Sequence, residues 1–185
     1  MTSRESYEPG PATGAQIRKS GERWTLVLER DLRHAPDVVW QALTDPAQLR
    51  EWAPFDASRN LGAAGQTVTL TTVGAPAPHV TETTITRADA PRLLEYNWGG
   101  QDLRWELEPR AGGTHLTLWH NIDRRYIAMG AAGWHICFDV LDRLLGGAPI
   151  GRIVAGDALR FGGWQRLHTE YAKQFGIEAP AWGGQ

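Results

Sequence analysis

Pro36-Asp37-Val38-Val39-Trp40-Gln41-Ala42-Leu43-Thr44-Asp45-Pro46-Ala47-Gln48-Leu49-Arg50-Glu51-Trp52 is the stretch on which the reading of this chain turns. Pro36 suits a first helical turn, where the amide it lacks would have no partner. Val39, Ala42 and Leu43 recur at helical spacing, and Asp45-Pro46 stops that helix because a residue before proline avoids the α region. Asp45 then caps a second short helix, with Pro46 in its first turn and Leu49 and Trp52 on its buried side.

Outward from this pair the pattern is mostly that of strands. Residues 15–18 and 23–30 flank Lys19-Ser20-Gly21-Glu22 as a hairpin, with Trp24, Leu26 and Leu28 on one face. Strand-like runs follow at 66–73, 79–87, 92–98, 101–108 and 114–122, separated by glycine and proline turns. Leu103, Trp105 and Leu107 alternate with Asp102, Arg104, Glu106 and Glu108, and Leu116, Leu118, His120 and Ile122 share a face. Such short connections fit antiparallel neighbours, since parallel pairs need long crossovers.

The period then changes. Over 133–145, His135, Asp139, Asp142 and Arg143 fall on one side of a helix, and the apolar arc covers roughly 200°, wider than the stripe of a helix lying on one surface. That helix must be covered from more than one direction. A last helix is expected over 164–175 with Gly176 as its cap, and 148–163 reads mostly as loop. The expected division is a mobile tail at 1–13, one domain at 14–176 and a C-terminal tail at 177–185.

The 185 residues suit one domain with one core, and 42% hydrophobic with 22% charged residues is the balance of an ordinary globule. A net charge of −2 supplies no field for nucleic acid or anionic lipid. The single cysteine, Cys137, rules out an internal disulfide and a cysteine-pair metal site, which fits a cytoplasmic setting. No signal-peptide core occupies residues 1–20, and no run approaches the ~18 apolar residues of a membrane span. Nine tryptophans suit a large core or an aromatic-lined pocket.

The order of strand, two short helices, antiparallel strands and C-terminal helix resembles the START-like (SRPBCC) superfamily. Within it, the chain is similar to the branch named after the Hsp90-ATPase activator. The residues that carry this are Val39-Trp40, Leu43 to Pro46, Leu49, Trp52, Pro91-Arg92-Leu93-Leu94-Glu95-Tyr96 with Trp98, and Gly133-Trp134-His135. The resemblance implies an α+β helix-grip fold, a curved antiparallel sheet wrapped around a C-terminal helix with a cavity between them. It implies no shared catalytic set. The chain departs from the simplest members where its C-terminal helix is interrupted around 146–163.

Chemical motifs are sparse. There is no phosphate loop and no dinucleotide fingerprint, and Ser3, Ser20 and Ser58 lack a nucleophile elbow. No cofactor and no metal are expected. His115 and His120 face opposite sides of a strand and cannot share an ion. His135 and Asp139 are one helical turn apart, but their phase with Asp142 and Arg143 reads as a solvated pair. His120, in phase with Leu116 and Leu118, either bonds a core carbonyl or acts as a polar anchor inside a cavity. Cys137, on the apolar arc, reads as core packing. Trp98, Trp105 and Trp134 either line a pocket or pack sheet against helix.

Three readings follow. The first is binding of a small apolar or aromatic ligand by Trp98, Trp105, His120, Trp134 and Phe138 around an apolar void. The second is a chaperone-associated interaction module. The third is an aromatase/cyclase-type enzyme using polar groups in the cavity, for which the sequence offers only His120 and Glu82, so no catalytic residue is assigned.

Overall fold

The computed structural model describes residues 4–74 and 77–178. The hairpin β1 (Ala15–Ser20) and β2 (Arg23–Leu32) leads into α1 (Pro36–Thr44) and α2 (Pro46–Trp52). Strands β3 (Phe55–Ala57), β4 (Thr67–Thr72) and β5 (His79–Thr84) form a small sheet. Strands β6 (Arg87–Asp89), β7 (Leu93–Trp98), β8 (Gln101–Arg110) and β9 (Gly113–Asn121) join the hairpin in a six-stranded antiparallel sheet ordered β1-β2-β9-β8-β7-β6. A 3₁₀ turn, Arg124–Tyr126, precedes α3 (Ile127–Leu145), α4 (Ala155–Arg160) and α5 (Gly162–Phe175). This is the α+β helix-grip arrangement.

Local chemistry sets the paired helices as the sequence predicts. The Asp45 carboxylate accepts the Ala47 amide at 3.0 Å, capping α2, and the Trp52 indole donates to the Ala42 carbonyl at 3.0 Å, tying α2 to α1. The run expected at 79–87 divides instead into β5 and β6. Ile85 N–H still bonds Gln66 beside the small sheet, whereas Thr86 N–H bonds Glu95 of the large one, so the chain changes sheets between these residues.

The inner face of the large sheet is built in register. His120 lies opposite Leu103 and Leu26, and Leu118 opposite Trp105 and Leu28. Trp105 is fully buried, edge-on to Trp52 at 6.0 Å and to Trp134 at 5.5 Å. Helix α3 lies across this face and begins six residues before the expected start at 133, so Gly130 and Gly133 are inside it.

Three expectations are corrected. The segment 148–163 contains α4, with Ala158 buried. Arg4 to Thr13 is no loose tail: Tyr7 is 3% exposed, stacks on Phe161 at 5.7 Å and lies under the Arg143 guanidinium. The Ala12 amide donates to Glu170, and Arg166 donates to the Pro9 and Gly10 carbonyls. The segment is therefore sewn to α5 through its backbone. His135, finally, is no surface residue but 2% exposed, because α5 and residues 7–13 cover the polar side of α3. The C-terminal tail lies outside the described residues from 179 onward, while Ile177 packs partly against the core.

Candidate functional site

Along α3 and the turn before it, Tyr126, Met129, Gly130, Gly133, Trp134 and Cys137 recur at helical spacing on one face. Two of these positions carry no side chain. Where they fall, a cavity of about 500 Å³ opens between α3, the end of the sheet where β8 begins and β9 finishes, and residues 153–159. A Cβ added at Gly133 would meet nothing within 4 Å, whereas one at Gly130 would sit 3.0 Å from the Ile122 side chain. Interior helical glycine costs about 1 kcal/mol relative to alanine, so the space at Gly133 is held open against local preference.

The walls are apolar and aromatic, with Trp98, Trp134 and Trp164 among them, and among the described residues no Asp, Glu, Lys or Arg side chain lines the cavity. Its polar edge is one hydrogen-bonded relay. The Trp134 indole N–H donates to His120 Nδ1 at 2.9 Å, and His120 Nε2 meets Gln101 Oε1 at 2.6 Å. Indole is only a donor, so Nδ1 must be bare and the proton sits on Nε2. Burial holds the His120 pKa down at about 4, in keeping with this neutral ring. Nearby, the Trp98 indole donates to Thr72 Oγ1 at 2.8 Å. The Cys137 thiol also lines the cavity and burial pushes its pKa up to about 12, so it is a protonated, weakly polar wall group.

Of the five residues expected to surround a void, Trp98, His120 and Trp134 border the cavity. Trp105 and Phe138 do not: they pack behind Trp134, with ring centres 5.5 and 6.3 Å from it. The void is displaced toward the N-terminal half of α3. Sequence reading missed Gln101, Thr72, Gly130 and Gly133. A signal for the last two was present, since glycines at i and i+3 followed by Trp134 and Cys137 mark a helix face stripped of side chains.

Beneath α5 lies a second polar cluster, away from the cavity. Tyr7 Oη donates to Asp139 Oδ2 and Arg30 Nη1 donates to Asp139 Oδ1, each at 2.5 Å. His135 Nδ1 meets Tyr171 Oη at 2.7 Å, and that hydroxyl donates to the Thr13 carbonyl. His135 Nδ1–H is therefore the donor in their contact, and desolvation draws the ring's pKa down to about 4. A wider depression of about 630 Å³ on the outer sheet face is lined by charged side chains. Arg23 pairs there with Asp102, and Arg104 with Glu95 and Glu106, so it is a solvated face. Among the described residues, no group of three or more His, Cys, Asp or Glu is placed to hold a metal, and no helix is long and apolar enough to cross a membrane.

Comparison with known proteins places this architecture. Residues 33–146 match the family described as Activator of Hsp90 ATPase homolog 1-like protein. No curated protein matches the chain. Among solved structures, the chain is similar to CalU16 from Micromonospora echinospora, at 19% identity and a TM-score of 0.61 over 91% of this chain and 96% of that one. It is also similar to SSP2350 from Staphylococcus saprophyticus, at 18% identity and a TM-score of 0.61 over 71% and 98%. An AHSA1-like protein from Aeromonas hydrophila matches at 20% identity and a TM-score of 0.55 over 67% and 93%. At such identities these likenesses speak to the fold alone.

Proposed function

This chain belongs to the Activator of Hsp90 ATPase homolog 1-like family, and from that premise we propose that it binds one small apolar or aromatic molecule in the cavity beside Gly133. The fold is of a ligand-binding type in general. The observation that carries the finer reading is a 500 Å³ space with apolar walls, within the ~300–1,000 Å³ usual for small-molecule sites. Its orienting groups are few, which also fits such sites. The large hydrophobic side chains exposed by more than a third, among the described residues, are Val38, Val80, Tyr126 and Leu159. Two of them, Tyr126 and Leu159, stand at the cavity itself, which favours an internal ligand over docking of a chaperone on an outer patch.

Catalysis has weaker support. His120 has both ring nitrogens engaged, Cys137 keeps its proton, and Glu82 is not among the lining residues. Of the other titratable groups on the lining, Cys137 is that protonated thiol and Tyr126 is exposed; among the described residues no carboxylate or second histidine converges with His120 in the cavity, as acid–base chemistry of this kind would require. A cytoplasmic setting accords with the lone buried thiol. The test is a titration with the neutral dye phenylnaphthylamine, followed by its fluorescence and by tryptophan quenching. Saturation at one dye per chain is expected. A response that does not saturate, or that grows only as the protein unfolds, would remove the reading.

A further inference from the structure

Hydrogen-bond direction along the relay fixes more than the tautomer of His120. Because Trp134 can only donate, His120 Nδ1 accepts and Nε2 carries the proton. Gln101 must therefore turn its carbonyl oxygen toward His120, since its amino end would set two donors against each other. The amide cannot flip, and its NH₂ end is turned away from the ring. Gln101 lines the cavity, and among the described residues no hydrogen-bond partner takes that NH₂. Thr72 points the same way: its oxygen accepts the Trp98 indole, so its hydroxyl proton remains to be given. Gln101 and Thr72 thus offer protons at the polar edge, the hydroxyl of the exposed Tyr126 being the other side-chain oxygen on the lining, and among the described residues no Asp, Glu, Lys or Arg stands there.

From this we infer that the occupant is an uncharged molecule with an apolar or aromatic body and a hydrogen-bond acceptor, such as a ketone, quinone or ester carbonyl, seated against the Gln101 amide. This assignment rests on the binding reading above and narrows it. A carboxylate would find donors but no counter-charge among apolar walls, and the desolvation of an unpaired ion opposes its entry. An ammonium would meet donors at the polar edge and, among the described residues, no carboxylate, with only aromatic faces to hold it. A hydrocarbon would fit the walls yet cover the amide without giving it a partner.

The experiment is displacement of phenylnaphthylamine by four probes of nearly one shape: acetylnaphthalene, ethylnaphthalene, naphthoate and naphthylmethylammonium. The ketone should displace the dye at about a tenfold lower concentration than the hydrocarbon, the increment of one good hydrogen bond. Both ions should be weaker than the ketone by at least that factor. In Gln101→Leu the ketone's advantage should shrink to about twofold while the hydrocarbon binds as before, a retained affinity that also shows the variant is folded. Equal affinity of ketone and hydrocarbon for the parent protein would overturn the assignment while leaving apolar binding intact. So would an ion that matches the ketone, or a ketone advantage that survives Gln101→Leu. If neither the dye nor any probe binds, the binding reading itself fails and this assignment falls with it.

Discussion

Acidification should destabilise this protein well above the pH at which carboxylates titrate, and the cause lies in its buried histidines. His120 is 2% exposed, and the indole on Nδ1 leaves no place for a second ring proton. Its pKa stands at about 4 in the folded chain against about 6.5 when unfolded, and His135 is displaced similarly by desolvation. The folded state thus resists protonation while the unfolded chain accepts it. Between about pH 6.5 and 4 the unfolded state binds more protons, so stability is full above that window and falls as pH drops through it. The whole displacement corresponds to roughly 3 kcal/mol per histidine, most of it lost by about pH 4.5. Urea unfolding near pH 7 and near pH 4.5 should therefore differ by about 5 kcal/mol in the parent protein. His120→Gln, which keeps a donor and an acceptor but cannot titrate, should lose about half of that difference, whatever its absolute stability. An unchanged pH dependence in the variant would refute the claim that the relay holds His120 neutral.

Other consequences can be checked singly. Trp105→Ala should cost about 3–5 kcal/mol in chemical denaturation, because the ring is packed between Trp52, Trp134 and Phe138 with no route for collapse; a midpoint equal to the parent's would take this strand out of the core. Tyr7→Phe removes the hydroxyl bond to Asp139 and should lower stability by about 1–2 kcal/mol. Faster amide exchange at Ala12 should accompany it, and an unchanged exchange rate there would show that Tyr7 does not anchor the segment. His135→Gln should leave phenylnaphthylamine affinity within about twofold, because the ring lies under α5 and borders no part of the cavity. A tenfold loss with intact folding would couple the two clusters.

How much of this was legible in the sequence depended on whether a signal was local. The α1–α2 pair was legible because Pro36, Asp45 and Pro46 act on their own neighbours, through a cap and two backbone restrictions. The face shared by Leu103, Trp105 and Leu107 was legible because strand period is two whatever lies above it. The roughly 200° apolar arc of α3 announced cover from several directions, and the sheet, α1, α2 and α5 supply it. What covers a polar face is not local information. His135 and Asp139 looked solvated because their partners, Tyr171 and Tyr7, lie 36 and 132 residues away. The segment before residue 13 looked mobile from its prolines and glycines, although Tyr7 is an anchor and the Pro9 and Gly10 carbonyls hold Arg166. At the candidate site, three of five aromatic or histidine positions border the cavity, since phase finds the inward face but not the depth at which packing stops. The open space itself was written in Gly133, a residue defined by what it lacks, while Gly130 makes room for the Ile122 side chain.

The most direct test of the central claim uses that space. Gly133→Leu places a side chain where the cavity is open and replaces an interior helical glycine with a good helix former, so it should fill the cavity without destabilising α3. Phenylnaphthylamine binding should fall by at least about tenfold, a change of ~1.4 kcal/mol in binding free energy, while the unfolding midpoint stays level or rises. Undiminished dye binding by a folded Gly133→Leu protein would contradict the account, because the ligand would then have to sit elsewhere.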